Sequence, residues 1–110
     1  MNTTDVQLQQ HFSLLSNPLR YKMYQMIVQY GCDCDVTTQE GVSGNCVSGI
    51  VRQLHVPQST VSTYIKDLSD GGLIVCTRNG KYRYCKPTTH ALMQIKRFAD
   101  HGLAMLEKRH

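Results

Sequence analysis

Two periods run through the hydrophobic positions. Leu19, Met23, Met26, Ile27 and Tyr30 recur at i, i+4, i+7, i+8 and i+11, the spacing of one helix face. Asn17 suits the cap of that helix, Pro18 its first position and Gly31 its stop. Val6, Leu8, Phe12 and Leu15 keep a looser stripe that predicts a shorter helix over 5–15. Residues 32–45 carry no period, are rich in Gly, Ser, Thr and Asp, and read as a loop of unusual length.

Helical spacing resumes at Val47, Ile50, Val51 and Leu54, after Asn45 as a possible cap. Proline bars that helix from running through "HVPQ". A second helix follows, with Val61, Tyr64, Ile65 and Leu68 inward and Gly71-Gly72 at its end. The pattern then changes. "LIVCTRNGKYRYCKP" is two β-prone runs around Asn79-Gly80, the preferred two-residue hairpin turn. Residues from Thr88 onward return to helical spacing. Leu92, Ile95, Ala99, Gly102 or Leu103, and Leu106 lie close to a heptad seam, the pattern of a helix packed on a partner helix. The whole predicts one domain, mainly α with a β-hairpin (α+β), over residues 1–110.

The helix from Gln58 has a second stripe opposite its apolar one. Gln58, Ser59, Ser62, Thr63 and Lys66 form a continuous polar face of short hydrogen-bonding side chains plus a base, with Thr60 beside it. Such a face can approach base edges and phosphates in a major groove, where bulkier side chains would hold the helix out. With the short helix and sharp turn before it, residues 46–70 read as a helix-turn-helix.

Charge sharpens this picture. The net charge is +4, and residues 52–86, with six bases and two acids, hold all of the excess. The hairpin over 73–86 supplies Arg78, Lys81 and Arg83, with no acid between Cys76 and Lys86. A basic wing reaches phosphates or an adjacent minor groove.

"VRQLHVPQSTVSTYIKDLSDGGLIVCTRNGKYRYCKP" resembles the helix-turn-helix and wing of the ArsR-type (ArsR/SmtB) winged-helix repressors. The marks are the Gln-Ser-Thr-Val-Ser opening of the recognition helix, the Gly-Leu after it and the basic hairpin. "LLSNPLRYKMYQMI" is similar to the family's second helix. The resemblance implies a winged helix-turn-helix that dimerises through terminal helices, here 5–15 and 88–108. It implies a repressor that leaves an inverted-repeat operator in double-stranded DNA when an inducer binds, with Gln58, Ser59, Ser62 and Thr63 as major-groove contacts. Pro57 stands where the family commonly has a capping Ser or Thr, so one capping hydrogen bond is expected to be lost.

Five cysteines raise the question of the inducer. Family members that sense arsenic, lead or cadmium often carry a Cys-x-Cys on the first helix of the helix-turn-helix. Here Cys46 takes the first of those positions and Ser48 the second, so that pair is broken. Cys32 and Cys34 lie upstream, within about 7 Å of each other by chain length. A loop rich in Gly and Ser can fold Cys46 back to them. Three thiolates suit a soft ion, including trivalent arsenic. The same thiols suit oxidation or a persulfide bridge, and free packed cysteines are the plain alternative. No obligatory cofactor is implied.

Cys76 and Cys85 are a separate pair. With Asn79-Gly80 as the turn, Cys76 falls opposite Arg83 and Cys85 opposite Ile74. The two are then diagonal neighbours, about 7–8 Å apart and beyond comfortable disulfide reach, so packing is expected and redox use is the alternative. His90 and His101, eleven residues apart, share a helix face but sit about 16 Å apart along its axis. They can meet only across an antiparallel dimer. Zinc-sensing relatives place two further ligands where this chain has Thr88 and Ala104.

No phosphate-binding glycine loop, paired-carboxylate motif or local Cys–His pairing suggests an enzyme. A winged helix that binds protein alone has no need of so basic a hairpin. The chain has no apolar run near 18 residues and its start lacks a basic and apolar leader pattern, so a cytoplasmic protein without membrane contact is expected.

Overall fold

The computed structural model describes residues 3–31, 47–80 and 82–109. The order is α1 (Thr3–Leu15), α2 (Pro18–Gly31), α3 (Val47–Leu54), α4 (Gln58–Asp70), β1 (Ile74–Asn79), β2 (Tyr82–Pro87) and α5 (Thr89–Lys108). β1 and β2 form one antiparallel two-stranded sheet. This is a winged helix-turn-helix, as expected.

Two helix starts, those of α2 and α5, have a local side-chain cause. The Asn17 carboxamide oxygen accepts from the backbone N–H groups of Leu19 (2.9 Å) and Arg20 (3.0 Å), which fixes the first turn of α2. Pro57 precedes α4 and offers no side-chain cap. The Thr88 hydroxyl caps α5 at Ala91 and donates to the Gly72 carbonyl at 2.6 Å. One residue thus starts α5 and ties it to the end of α4. The break between α3 and α4 passes through His55, whose φ of 57° is left-handed.

The core joins Met23, Met26 and Ile27 of α2, Ile50 of α3, and Val61, Ile65 and Leu68 of α4 with Leu73, Ile74 and Cys85 of the hairpin. α5 adds Ala91 and Gln94. Its seam residues, apart from the half-buried Ile95, instead stay outside. Leu103 and Leu106 are 59% and 54% exposed, and Phe98 is 58% exposed although its ring meets Phe12 of α1 edge-on at 5.4 Å. Gln94 donates to Gln7 at 2.7 Å, a second tie between α5 and α1. Among the described residues no helix is long and apolar enough to cross a membrane.

Candidate nucleic-acid interface

α4 separates its two faces as its sequence requires. Val61, Ile65 and Leu68 are buried, and Gln58, Ser59, Ser62, Thr63 and Lys66 are all exposed on the other side. Thr60 is half-buried between the faces. The Thr63 hydroxyl donates to the Ser59 carbonyl at 2.9 Å, which leaves its oxygen free to accept. Lys66 pairs with Asp70 at 3.1 Å, with both side chains exposed. Such a surface pair is weak and is readily exchanged for a phosphate.

Arg20 of α2 holds this helix in place. Its Nε donates to the Leu14 carbonyl at 2.8 Å, its guanidinium lies 5.2 Å from the Tyr64 ring centroid, and Nη1 reaches Asp67 at 3.5 Å. It links the end of α1 to the middle of α4. A periodicity argument classes an arginine as surface, so this role was not visible beforehand.

The hairpin differs in register from the expectation. Asn79 pairs with Tyr82, so Gly80 and Lys81 lie between the strands, and Cys76 stands opposite Cys85. Gly80 has φ +64°, the left-handed backbone that the first loop position of a tight hairpin needs. The two registers differ by two residues along one strand. They leave every side chain on the same face, so alternation cannot separate them. The consequence for the cysteines is a correction. They are not diagonal neighbours; their Cα atoms are 4.1 Å apart and they form a disulfide. Arg78 and Arg83 also face each other directly, both exposed, one step beyond the disulfide on the same face. Lys81 lies outside the described residues.

Cys32, Cys34 and Cys46 lie outside the described residues as well. His90 approaches the Gln7 carboxamide oxygen at 3.4 Å, and His101 is exposed on the same helix. Among the described residues, no three His, Cys, Asp or Glu side chains gather as metal ligands would.

Two buried polar groups were missed by the sequence reading. His11 is 3% exposed; one ring nitrogen bonds to the Gly71 backbone, while Nδ1 has no partner among the described residues. Burial pushes its pKa down, and nearby His90 adds to the effect, against the Gly71 hydrogen bond. Tyr24 is 6% exposed with an unpartnered hydroxyl, and burial pushes its pKa up to about 12.

Residues 42–75 match the family described as "Bacterial regulatory protein, arsR family". The chain is 35% identical over 91 residues to an uncharacterized HTH-type transcriptional regulator, YbzH, of Bacillus subtilis, covering 79% of this chain and 89% of that one. Its fold is similar to an ArsR-like transcriptional regulator from Rhodococcus sp. RHA1, with TM-score 0.71 and 16% identity over 98% of this chain and 90% of that one. It is also similar to Mb0332 of Mycobacterium bovis, described as a homodimeric winged helix-turn-helix DNA-binding domain. There the TM-score is 0.59, with 19% identity over 92% of this chain and 80% of that one.

Proposed function

The chain belongs to the arsR family of bacterial regulatory proteins, and from that premise we propose that it is a homodimeric repressor whose operator release is triggered at thiols. As a member it is a transcriptional regulator with a DNA-binding winged helix-turn-helix, and not an enzyme. What supports the DNA-contact part of this reading is the pairing of one exposed polar face on α4 with two exposed arginines on the adjoining hairpin. Gln58, Ser59, Ser62 and Thr63 read base edges in the major groove, while Lys66, Arg78, Lys81 and Arg83 take phosphates.

The dimer forms through α1 and α5. Support comes from the apolar residues these helices leave uncovered, among them Phe12, Phe98, Leu103 and Leu106, and from the homodimeric description of Mb0332. Two-fold symmetry then calls for an inverted-repeat operator with half-sites about one helical turn apart.

The inducer acts at Cys32, Cys34 and Cys46, whose three thiolates suit trivalent arsenic. Operator affinity falls by roughly 5–150-fold, the usual range of allosteric coupling. Oxidation of the same thiols is the second reading. A zinc site at His90 and His101 has less support, because Thr88 serves as the helix cap where a metal-binding acid would stand. Fluorescence anisotropy on reduced protein, with and without trivalent arsenic, tests the proposal. Arsenic should release a selected duplex from the wild type and not from Cys32→Ser or Cys34→Ser. Retention of the duplex by arsenic-treated wild type would remove the metalloid reading.

A further inference from the structure

We infer that the Cys76–Cys85 pair is a redox site that sets the DNA affinity of the wing, independently of the three upstream thiols. The inference rests on the DNA-binding reading above. Regulators that work on cellular DNA meet it where thiols are kept reduced, and disulfides there are usually transient and redox-sensing rather than structural. This one lies inside the DNA-binding element. It joins β1 to β2 one step below Arg78 and Arg83 on the same face.

Position gives the bond its effect. A two-stranded hairpin is marginal by itself, and like charges directly opposed weaken it further. The arginine pair is such an opposition, and DNA phosphates relieve it. The disulfide holds the strands in register up to that pair and keeps both guanidinium groups presented together. The core holds the base of the hairpin through Leu73, Ile74 and Cys85, all nearly fully buried. Beyond the disulfide, Tyr84 is buried but its partner Thr77 is exposed, so the β1 side of the tip has little packing. Loss of the bond therefore frees the basic tip while leaving the domain folded.

The chemistry is thiol–disulfide exchange with a small dithiol. Cys85 is fully buried and Cys76 half-buried, so the incoming thiolate attacks Sγ of Cys76. The S–S bond breaks and Cys85 leaves as a thiolate that takes up a proton. The second thiol of the dithiol then displaces Cys76 and closes its own disulfide. Two electrons and two protons pass to the wing. A low-molecular-weight disulfide returns the pair by the reverse steps.

The test uses the full chain with Cys32, Cys34 and Cys46 all changed to Ser, so that only the wing pair can cycle. Its affinity for a labelled duplex, selected from a random library, is measured after dithiothreitol and after oxidised glutathione, with the redox state read by mass. The oxidised form should bind on the order of 5-fold tighter or more, the low end of allosteric couplings. It should also show a steeper salt dependence, by up to about 0.9 per phosphate contact regained. Adding Cys76→Ser, which leaves the core thiol in place, should abolish both differences, and Cys85→Val should do the same. Equal affinity and equal salt slope in the two redox states would overturn the inference while leaving the DNA-binding reading intact. If neither this protein nor the wild type binds duplex DNA in any state, the DNA-binding reading fails, and the inference with it.

Discussion

Arg20 and Asp67 join α2 to the recognition helix across 3.5 Å, and the same guanidinium stacks near Tyr64 and donates to the Leu14 carbonyl. The carboxylate is 38% exposed, so the ion pair is the weakest of the three contacts. The hydrogen bond from a charged donor is worth about 1.5–3 kcal/mol, and the ring contact about 0.5–1. Arg20→Ala should therefore cost about 2 kcal/mol in urea unfolding, whereas Asp67→Asn should cost well under half of that. Equal losses would place the anchoring in the ion pair instead.

His55 links α3 to α4 with a left-handed φ of 57°, and its side chain is exposed. A non-glycine residue there stores strain, and glycine relieves it at some cost in unfolded-chain entropy. His55→Gly should raise stability by up to about 1 kcal/mol, seen as a higher Tm. A lower Tm would mean that the imidazole makes a compensating contact.

His11 gives the fold a pH dependence of known sign. Its pKa is depressed below 6.5 in the folded state, so the unfolded chain binds the extra proton first. Its contribution is present above about pH 6.5 and is lost as pH falls through the lower, folded value. The difference in Tm between pH 7.5 and pH 5 should be smaller in His11→Gln than in the wild type. An unchanged difference would show that other groups set the acid limb.

Tyr24 carries a buried hydroxyl without a partner among the described residues, a group that costs about 1–3 kcal/mol to desolvate. Tyr24→Phe should leave stability unchanged or raise it, and the phenol that titrates at about pH 12 should vanish from the absorbance titration. A clear loss of stability would mean that the hydroxyl is hydrogen-bonded in solution.

Where packing repeats along the chain, the sequence carried the answer. The stripe of Val61, Ile65 and Leu68 set the inward side of α4 and, by geometry, the outward side of Gln58, Ser59, Ser62 and Thr63. Asn17 and Pro18 marked the start of α2 through capping chemistry that is local. The hairpin was visible, but its rung was not, because a two-residue shift preserves every in–out choice. The Asn-Gly signal placed the turn one residue early and so hid the Cys76–Cys85 bond. Arg20, His11 and Gln94 were illegible for a different reason. Each is a polar residue whose place is set by partners distant in sequence, such as Asp67, Gly71 and Gln7, and no local period encodes such a contact. The Cys32, Cys34 and Cys46 expectation lies outside the described residues.

α4 and the wing act on DNA as one surface, so charge reversal in the wing should weaken binding by the whole protein. Affinity for the selected duplex would be measured by anisotropy across a salt series for the wild type and for Arg78→Glu with Arg83→Glu. The double variant should lose at least about tenfold in affinity and show a shallower salt slope, lower by about 0.9 for each phosphate contact removed. Unchanged affinity and slope would show that the wing makes no contact with DNA.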